Sequence, residues 1–331
     1  MPLTRRLALG AGILGLAAGI LPFAGSATAQ EFPTRPMKIV VPYPAGGPTD
    51  AIARIVAEEM SKELGQNALV ENVAGASGAL GTRQVARAEP DGYTIVFGNN
   101  QTHGNNMFLL REPGYDAVKD FAPLAGVGAF EHVFVVPKDA AAKSMTDLVE
   151  AAKKDPGKLN YGSTGLGSGS HLATELFMTR TGIKMTHVPF RGAAPLVTDL
   201  VAGRIDVSNS TLPSVLGQIQ GDQIRAIGLA SAKRNAQIPD VPTLREQGIE
   251  NADAESWAAF FAPVNVPKPV LDKLSGTIIK ILRKPEVEER IAKLGFTLNI
   301  RDPEAFKPYL DQEIRTWADI IKAANIPVQG N

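Results

Sequence analysis

Short apolar runs alternate with amphipathic stretches along most of the chain. Residues 37–41 (MKIVV) predict a buried strand, and in 51–64 the apolar residues recur at the spacing of one helical face. The same pattern predicts strands at 68–73, 93–98, 159–161, 185–189, 205–208 and 224–230, and helices at 80–88, 145–154, 171–181, 195–203 and 212–220. This β-α-β rhythm is typical of parallel sheets covered by helices, so we predict an α/β fold.

The last third of the chain predicts mainly helices. Prolines begin segments 269–282 and 285–294, as the first turn of a helix allows. In 303–324 the apolar residues, including Trp317, are spaced for one buried stripe, so we expect Trp317 in the core rather than at a ligand. The long apolar segment 125–136 could run through two strands or cross between domains.

Length and composition favour two domains in an ordinary globular protein. The chain has 331 residues, of which 44% are hydrophobic and 21% charged, and no proline- and serine-rich linker divides it. We therefore expect two domains joined by several chain crossings. With 34 basic and 34 acidic residues there is no general attraction to nucleic acid, and with no cysteine there is neither a disulfide nor a cysteine-bound metal.

The N-terminus predicts an export signal. Arg5 and Arg6 precede an apolar stretch over 7–24, and small residues follow at 27–29. An uncleaved membrane anchor is the alternative, but several glycines and a proline interrupt a run that is barely long enough to span. We expect residues 1–29 to be a signal peptide cleaved near Ala29, and the mature protein to be periplasmic.

Catalytic and metal motifs are missing from the sequence. The four histidines form no His-Glu-x-x-His motif, and His171 with Glu175 would supply only two metal ligands. The stretch 165–170 (GLGSGS) fits neither Gly-x-Ser-x-Gly of a hydrolase nor Gly-x-Gly-x-x-Gly of a dinucleotide site. We therefore predict no enzyme, no metal and no cofactor.

Four polar turns, rich in glycine or amide side chains, lie where a predicted strand leads into a helix. They are residues 42–50 (PYPAGGPTD), 99–103 (NNQTH), 162–171 (GSTGLGSGSH) and 190–195 (FRGAAP). Helix N-termini at the carboxyl ends of strands present unpaired N–H groups, which favour anions. Each turn alone could be a tight connection. Four turns together, without catalytic residues, favour a protein that binds a small anion.

Arg191 is the one cation among these turns. It could clamp a carboxylate through two parallel hydrogen bonds, or it could form an ordinary salt bridge at the surface or between domains.

Nearly the whole mature chain resembles the periplasmic solute-binding proteins of tripartite tricarboxylate transporters, also called Bug proteins. The resemblance rests on 33–36 (PTRP), 41–50 (VPYPAGGPTD), 91–94 (DGYT), 115–123 (YDAVKDFAP), 161–165 (YGSTG), 188–195 (VPFRGAAP), 231–234 (SAKR), 239–243 (PDVPT) and 256–257 (SW).

The resemblance implies a two-lobed periplasmic-binding-protein fold of the type II kind, each lobe a mostly parallel sheet flanked by helices, with the cleft between them. Residues 31–130 plus 257–331 would form lobe 1, and 131–256 would form lobe 2. It implies a receptor that closes over a small carboxylate and delivers it to membrane transporter subunits of the tripartite tricarboxylate type; we expect a monomer. A periplasmic sensor that signals to a membrane kinase is the alternative, and an exported hydrolase is the third.

The resemblance also implies a set of ligand-binding residues. In the first turn it points to backbone N–H groups and ordered water, with Asp50 favouring the helix N-terminus rather than touching the anion. Our candidate set, to which we add Gln101 and Asn209 from neighbouring polar segments, is Tyr43, Ala45, Gly46, Gly47, Thr49, Gln101, Ser163, Thr164, Ser168, His171, Arg191, Gly192 and Asn209.

One departure from the family bears on the ligand. Ser210 and Thr211 occupy positions where members often carry an aspartate–asparagine pair. The missing acid removes a partner for an amino group, unless Asp206 replaces it, so we lean toward plain mono- or dicarboxylates rather than amino acids. Aromatic carboxylates, citrate-like acids, short dicarboxylates and amino acids all stay open.

Overall fold

The strands form two separate sheets in the computed structural model, which describes residues 32–328. Numbered in chain order, the strands of the six-stranded sheet lie in the spatial order β11 (Thr297–Arg301), β4 (Phe121–Phe130), β10 (Ser256–Pro263), β3 (Thr94–Asn99), β1 (Met37–Val41) and β2 (Ala68–Asn72). Those of the five-stranded sheet lie in the order β7 (Thr186–Pro189), β6 (Asn160–Ser163), β8 (Val207–Thr211), β5 (His132–Pro137) and β9 (Ile224–Leu229). The predicted signal peptide, residues 1–29, lies outside the described residues.

Helices flank both sheets. The six-stranded sheet and its surroundings carry α1 (Pro48–Leu64), α2 (Ala79–Ala86), α3 (Asn106–Leu109), α8 (Lys268–Leu282), α9 (Pro285–Ala292) and α10 (Pro303–Ala323). The five-stranded sheet carries α4 (Met145–Lys154), α5 (Gly169–Thr181), α6 (Ala193–Val201) and α7 (Leu212–Gln220). Across residues 32–328, none of these helices combines the length and the apolar character that a membrane span requires.

Each sheet with its helices forms one lobe, which we call the first lobe (six strands) and the second lobe (five strands). The chain passes from β4 to β5 through Glu131 alone, and it returns between β9 and β10. The apolar segment 125–136 therefore contains parts of two strands and a crossing between lobes, which combines the two alternatives that the sequence left open. The exact lobe boundaries stay a prediction.

The α/β class and the two-lobed architecture are confirmed, with one qualification about strand direction. In the first lobe β1 pairs in parallel with β2 and β3, but β10 runs antiparallel to β3 and β4. In the second lobe β6 is parallel to β7 and β8, whereas β5 is antiparallel to β8 and β9. Both sheets are mixed rather than mostly parallel, because the strands next to the crossings run against the β-α-β strands.

Some predicted elements differ from those in the structure. The last third contains two strands, β10 and β11, that the sequence analysis missed. All eight residues of β10 are buried, so it lacks the alternation of polar and apolar residues that marks a half-buried strand. Helix α1 begins at Pro48 rather than near residue 51, since a proline at the first helical position is compatible with the helix.

Helix α10 packs against both lobes. Near its start Phe306 and Leu310 belong to a core cluster of the first lobe. Near its end Trp317, Ile320 and Ile321 pack with residues of α5 in the second lobe. Trp317 is 2% exposed, so its predicted place in the core is confirmed.

We expect Trp317→Ala to lower the free energy of unfolding by about 3–5 kcal/mol, because the indole fills the contact between α10 and α5 and its removal leaves a cavity. Urea unfolding followed by circular dichroism measures the change. Arg315→Ala, at an exposed position of the same helix, is the matched control and should change the stability by less than about 0.5 kcal/mol. Equal effects of the two substitutions would contradict this account.

Candidate functional site

A cavity of about 120 Å³ lies between the two lobes, where all four polar turns meet. The first-lobe turns follow β1 and β3, and the second-lobe turns follow β6 and β7. The carboxyl ends of parallel strands are where open α/β sheets bind ligands. The residues that line the cavity are Tyr43, Pro44, Ala45, Gly47, Pro48, Thr49, Asp50, Asn99, Asn100, Gln101, Phe130, His132, Thr164, Ser168, Gly169, Ser170, Arg191, Gly192, Ala193, Ala194, Pro195, Thr211 and Ser256.

The N-termini of α1, α5 and α6 all reach this cavity. Helices leave their first backbone N–H groups without an intrahelical partner, and these groups carry partial positive charge. Seven backbone N–H groups at cavity-lining positions have no hydrogen-bond partner within the described chain. They belong to Ala45, Gly47, Thr49, Gly169, Ser170, Ala193 and Ala194. The cavity is therefore surrounded by unpaired donors from both lobes.

Glycines allow these helix starts to approach their neighbours closely. Gly192 precedes α6 at φ +106°, a conformation that favours glycine, and a Cβ there would lie 3.5 Å from Pro44 Cγ in the opposite lobe. A Cβ at Gly169, the first residue of α5, would collide with Ser256 Oγ and lie 2.9 Å from His132 Nε2. A larger residue at Gly169 would push the start of α5 away from these side chains, whereas at Gly192 the constraint is the positive φ and the contact with Pro44 is an ordinary van der Waals one.

Asp50 shapes the turn before α1 from inside. Its Oδ2 accepts hydrogen bonds from the Gly46 N–H at 2.9 Å and from Arg54 Nε at 3.0 Å, and its Oδ1 accepts one from Asn72 Nδ2 at 2.9 Å. Burial alone would raise the pKa of Asp50, but the hydrogen bonds from Arg54, Gly46 and Asn72 together lower it. Asp50 is thus an ionised group whose oxygens are already occupied, which agrees with its expected role at the helix N-terminus.

Arg191 brings a full positive charge to the cavity wall. Its side chain is exposed, and it forms no ion pair with any residue of the described chain. The alternative of a surface or interdomain salt bridge therefore has no partner within that part. The guanidinium is free to bind a carboxylate with two parallel hydrogen bonds.

Two residues at the chain crossings, His132 and Ser256, also line the cavity. His132 starts β5 and Ser256 starts β10, and His132 Nε2 lies 2.8 Å from Ser256 Oγ. Burial lowers the pKa of His132 to about 4, so its ring is neutral near pH 7. Neither residue is among the predicted ligand-binding candidates, although Ser256 belongs to segment 256–257 of the family resemblance and a histidine inside the apolar segment 125–136 was a second signal.

The structure brings nine of the thirteen candidate residues together on the cavity wall and leaves four outside it. The nine are Tyr43, Ala45, Gly47, Thr49, Gln101, Thr164, Ser168, Arg191 and Gly192. The four outside are Gly46, Ser163, His171 and Asn209. Gly46 lies in the same turn as its neighbours, but Asp50 already accepts its N–H.

Ser163 and His171 stabilise the 162–171 turn of the second lobe from the side that faces away from the cavity. Ser163 Oγ lies 2.6 Å from His187 Nε2, and His171 Nδ1 accepts a hydrogen bond from the Gly167 N–H at 3.1 Å. The rings of His171 and His187 stack with centroids 4.1 Å apart. Tyr161 beneath them donates a hydrogen bond to Glu175. This cluster fixes the conformation of the turn without facing the cavity.

Burial also governs the protonation of this cluster. It lowers the pKa of His171 to about 3, with the neighbouring His187 adding to the effect, and it lowers the pKa of His187 to about 4. It raises the pKa of Glu175, an effect that the hydrogen bond from Tyr161 partly offsets. Both histidines are therefore neutral in the folded protein near pH 7.

The segment in which Ser210 and Thr211 stand where family members often carry an aspartate–asparagine pair lies beside the cavity. Thr211 lines it, whereas Asn209 is fully buried two residues away and neither amide atom of its side chain has a partner among residues 32–328. Asp206 is at the far end of β8, where its carboxylate accepts a hydrogen bond from the Asn160 N–H. Asp206 therefore does not replace the missing acid.

Three side chains of the first lobe donate hydrogen bonds to the 162–171 turn of the second lobe. Ser77 Oγ and Gln101 Nε2 donate to the Leu166 carbonyl at 3.1 and 3.0 Å. Asn105 Nδ2 donates to the Gly167 carbonyl at 2.9 Å. These bonds connect the two lobes beside the cavity.

The chemistry of the cavity suits an anion and offers an ammonium group no free carboxylate. Asp50 is the single acidic side chain among the residues that line it, and its oxygens are occupied. Among residues 32–328 there is no group of three or more histidines and acids arranged to hold a metal ion.

Comparison with protein families identifies the chain. The family model described as "Tripartite tricarboxylate transporter family receptor" (TctC) matches residues 52–326. The chain belongs to this family. Protein BugT of Bordetella pertussis is 33% identical over 323 residues, which cover 97% of this chain and 98% of BugT.

Solved structures of similar proteins include two with a bound dicarboxylate. Rpa4515 of R. palustris, described with adipate, superposes with a TM-score of 0.87 at 32% identity, over 90% of this chain and all of that one. MatC of Rhodopseudomonas palustris, described with bound malate, gives 0.82 at 31% identity, over 88% of this chain and all of that one. This TctC-family chain is thus a Bug-type periplasmic solute-binding protein by family and fold.

We expect the stability of the protein to fall as the pH drops from 6.5 toward 4, because the pKa values of His171 and His187 lie below the ordinary 6.5 only in the folded state. The unfolded chain then binds protons that the folded protein does not, at up to about 1.4 kcal/mol per pH unit for each histidine. Urea unfolding over this pH range measures the slope.

The variant His187→Gln isolates this contribution from that of the carboxylates. It removes one titrating ring and the electrostatic effect of that ring on its stacked neighbour, so its unfolding free energy should depend less steeply on pH than that of the unmodified protein. Identical slopes for the two proteins would show that His187 does not contribute to the acid sensitivity.

Proposed function

We propose that this protein is a periplasmic receptor that captures a small mono- or dicarboxylate between its lobes and delivers it to a membrane transporter of the tripartite tricarboxylate type. The observation that carries the proposal is the convergence of three helix N-termini and the unpaired Arg191 on one cavity. Backbone N–H groups and a guanidinium are preferred hydrogen-bond partners of carboxylates.

The absence of a free acid within the described cavity wall narrows the ligand class. An amino acid carries an ammonium group that needs an acceptor, and the carboxylate of Asp50 is already engaged. The bound adipate and malate of the two solved relatives are consistent with a plain or hydroxylated dicarboxylate. These acids are the first compounds to test here.

Lobe closure is the proposed mechanism. A ligand held by α1 in one lobe and by α5 and α6 in the other makes its full set of contacts only when the lobes are together, so its binding shifts the equilibrium toward closure. The hydrogen bonds from Ser77, Gln101 and Asn105 to the 162–171 turn also favour the state in which the lobes are together. The closed surface would then be what the transporter subunits recognise.

A thermal-shift screen tests the ligand class. We expect short dicarboxylates to raise the melting temperature of the mature protein, since a ligand at 100 times its Kd adds about 2.7 kcal/mol when it binds only the folded state. Amino acids, neutral sugars and the amidated forms of the same acids serve as comparison compounds. A shift confined to neutral sugars would overturn the proposed carboxylate site, and a shift confined to amino acids would overturn the preference for plain mono- or dicarboxylates.

Arg191→Gln tests the role of the free cation. We expect the affinity for the best dicarboxylate of the screen to fall roughly 10- to 100-fold, since hydrogen bonds between charged groups contribute more than neutral ones. Isothermal titration calorimetry measures the affinity. Lys184→Gln, an exposed cation just before β7, makes the same charge change away from the cavity and should leave the affinity unchanged. Equal losses in both variants would indicate a general charge effect instead.

A further inference from the structure

Asp50 places a negative charge on the wall of the cavity that we propose for anions. It is 4% exposed and it lies in the first turn of α1, next to the unpaired N–H groups of Gly47 and Thr49. Two like charges at short distance inside a poorly hydrated cavity repel strongly. An anion site with this residue therefore needs compensation for its charge.

Arg54 provides that compensation from outside the cavity. It lies one helical turn after Asp50, its Nε donates to Asp50 Oδ2 at 3.0 Å and its guanidinium approaches Asp50 Oδ1 at 2.9 Å. The same guanidinium donates to Asn72 Oδ1 at 3.0 Å. The residue is half exposed and is not among those that line the cavity. The two-point contact fixes the positive charge directly behind the carboxylate.

Other charged groups in this region either pair with each other or have no electrostatic effect on Asp50. On the adjoining strands Lys38 and Glu71 pair with each other at 2.6 Å. Arg191 and His132 line the same cavity, but the electrostatic effect on Asp50 comes from Arg54. Arg54 is therefore the group on which the charge state of this wall depends.

We propose that Arg54 sets the anion affinity of the site by cancelling the charge of Asp50, and that Asp50 is a positioning residue that holds the turn carrying the ligand-binding N–H groups. The inference rests on the proposed function, because it concerns affinity for a carboxylate. It adds a residue that touches no ligand but controls how strongly an anion is bound. With Arg54 present, Asp50 and Arg54 form an ion pair with no net charge. Without Arg54, the ionised Asp50 repels an anion in the cavity.

The test compares the unmodified protein with Arg54→Gln, using succinate, malate and adipate as probes in calorimetric titrations at about pH 8 and about pH 5. Glutamine can still donate a hydrogen bond to Asp50, but it carries no charge. At the higher pH we expect the variant to bind roughly 10- to 100-fold more weakly. At the lower pH Asp50 of the variant binds a proton more readily than in the unmodified protein, because its buried carboxylate has lost its cation, and the ratio of the two affinities should shrink at least about threefold. Taking the ratio at each pH removes the titration of the probe itself.

Two further variants separate charge from structure. Arg54→Lys keeps the positive charge but loses the two-point contact, so it should bind within about threefold of the unmodified protein at both pH values. Lys62→Gln removes a cation from the same helix, where it pairs with Glu58 and Glu59 far along α1, and should leave both affinities unchanged. If Arg54→Gln fails to fold, the lysine variant still decides, because a loss as large as that expected for glutamine would overturn the role of charge.

The outcomes distinguish this inference from the proposed function. If the unmodified protein binds none of the three acids, the proposed carboxylate site fails and the inference fails with it. If it binds them and the affinity ratio for Arg54→Gln is the same at both pH values, the function stands and the charge-cancelling role of Arg54 is overturned. A ratio that falls with pH supports the role, since a purely structural defect would not follow the protonation of Asp50.

Discussion

Unpaired backbone N–H groups at helix N-termini are the feature on which the rest of this structure depends. A helix cannot satisfy these groups internally, and a buried N–H without a partner destabilises the fold. Here three such helix starts, from α1, α5 and α6, face one cavity between two lobes. The arrangement is acceptable energetically if something else supplies acceptors, either water or a bound anion. The strand directions, the crossings and the glycines at the helix starts all contribute to bringing these groups together.

The parts of the site that local sequence determines were the most predictable. Glycine and proline patterns at 42–50, 162–171 and 190–195 mark turns by their backbone requirements alone, and all of them reach the cavity. The β-α-β rhythm likewise follows from local hydrophobic periodicity. Strand β10 escaped prediction because a fully buried central strand has no alternating pattern, and its place in the sheet depends on pairing with β3 and β4, which lie far away in sequence.

Residues whose roles depend on tertiary position were not predictable in the same way. His132 and Ser256 are 124 positions apart and meet only because the chain crosses between the lobes twice. Ser163 and His171 belong to the right turn, but their side chains point into a stacked cluster behind it rather than into the cavity. A motif gives the backbone path of a turn, whereas the direction of each side chain depends on the packing of elements elsewhere.

The position of α10 has a mechanical consequence for ligand entry. This helix is anchored in the first lobe by Phe306 and Leu310, while its far end packs against α5, whose first residues line the cavity. The two lobes are therefore joined by a packed helix–helix interface as well as by the chain crossings. Close-packed side chains permit small sliding movements but not free rotation. Any separation of the lobes would have to slide α5 along α10 or carry the end of α10 with it, and this packing would limit its extent.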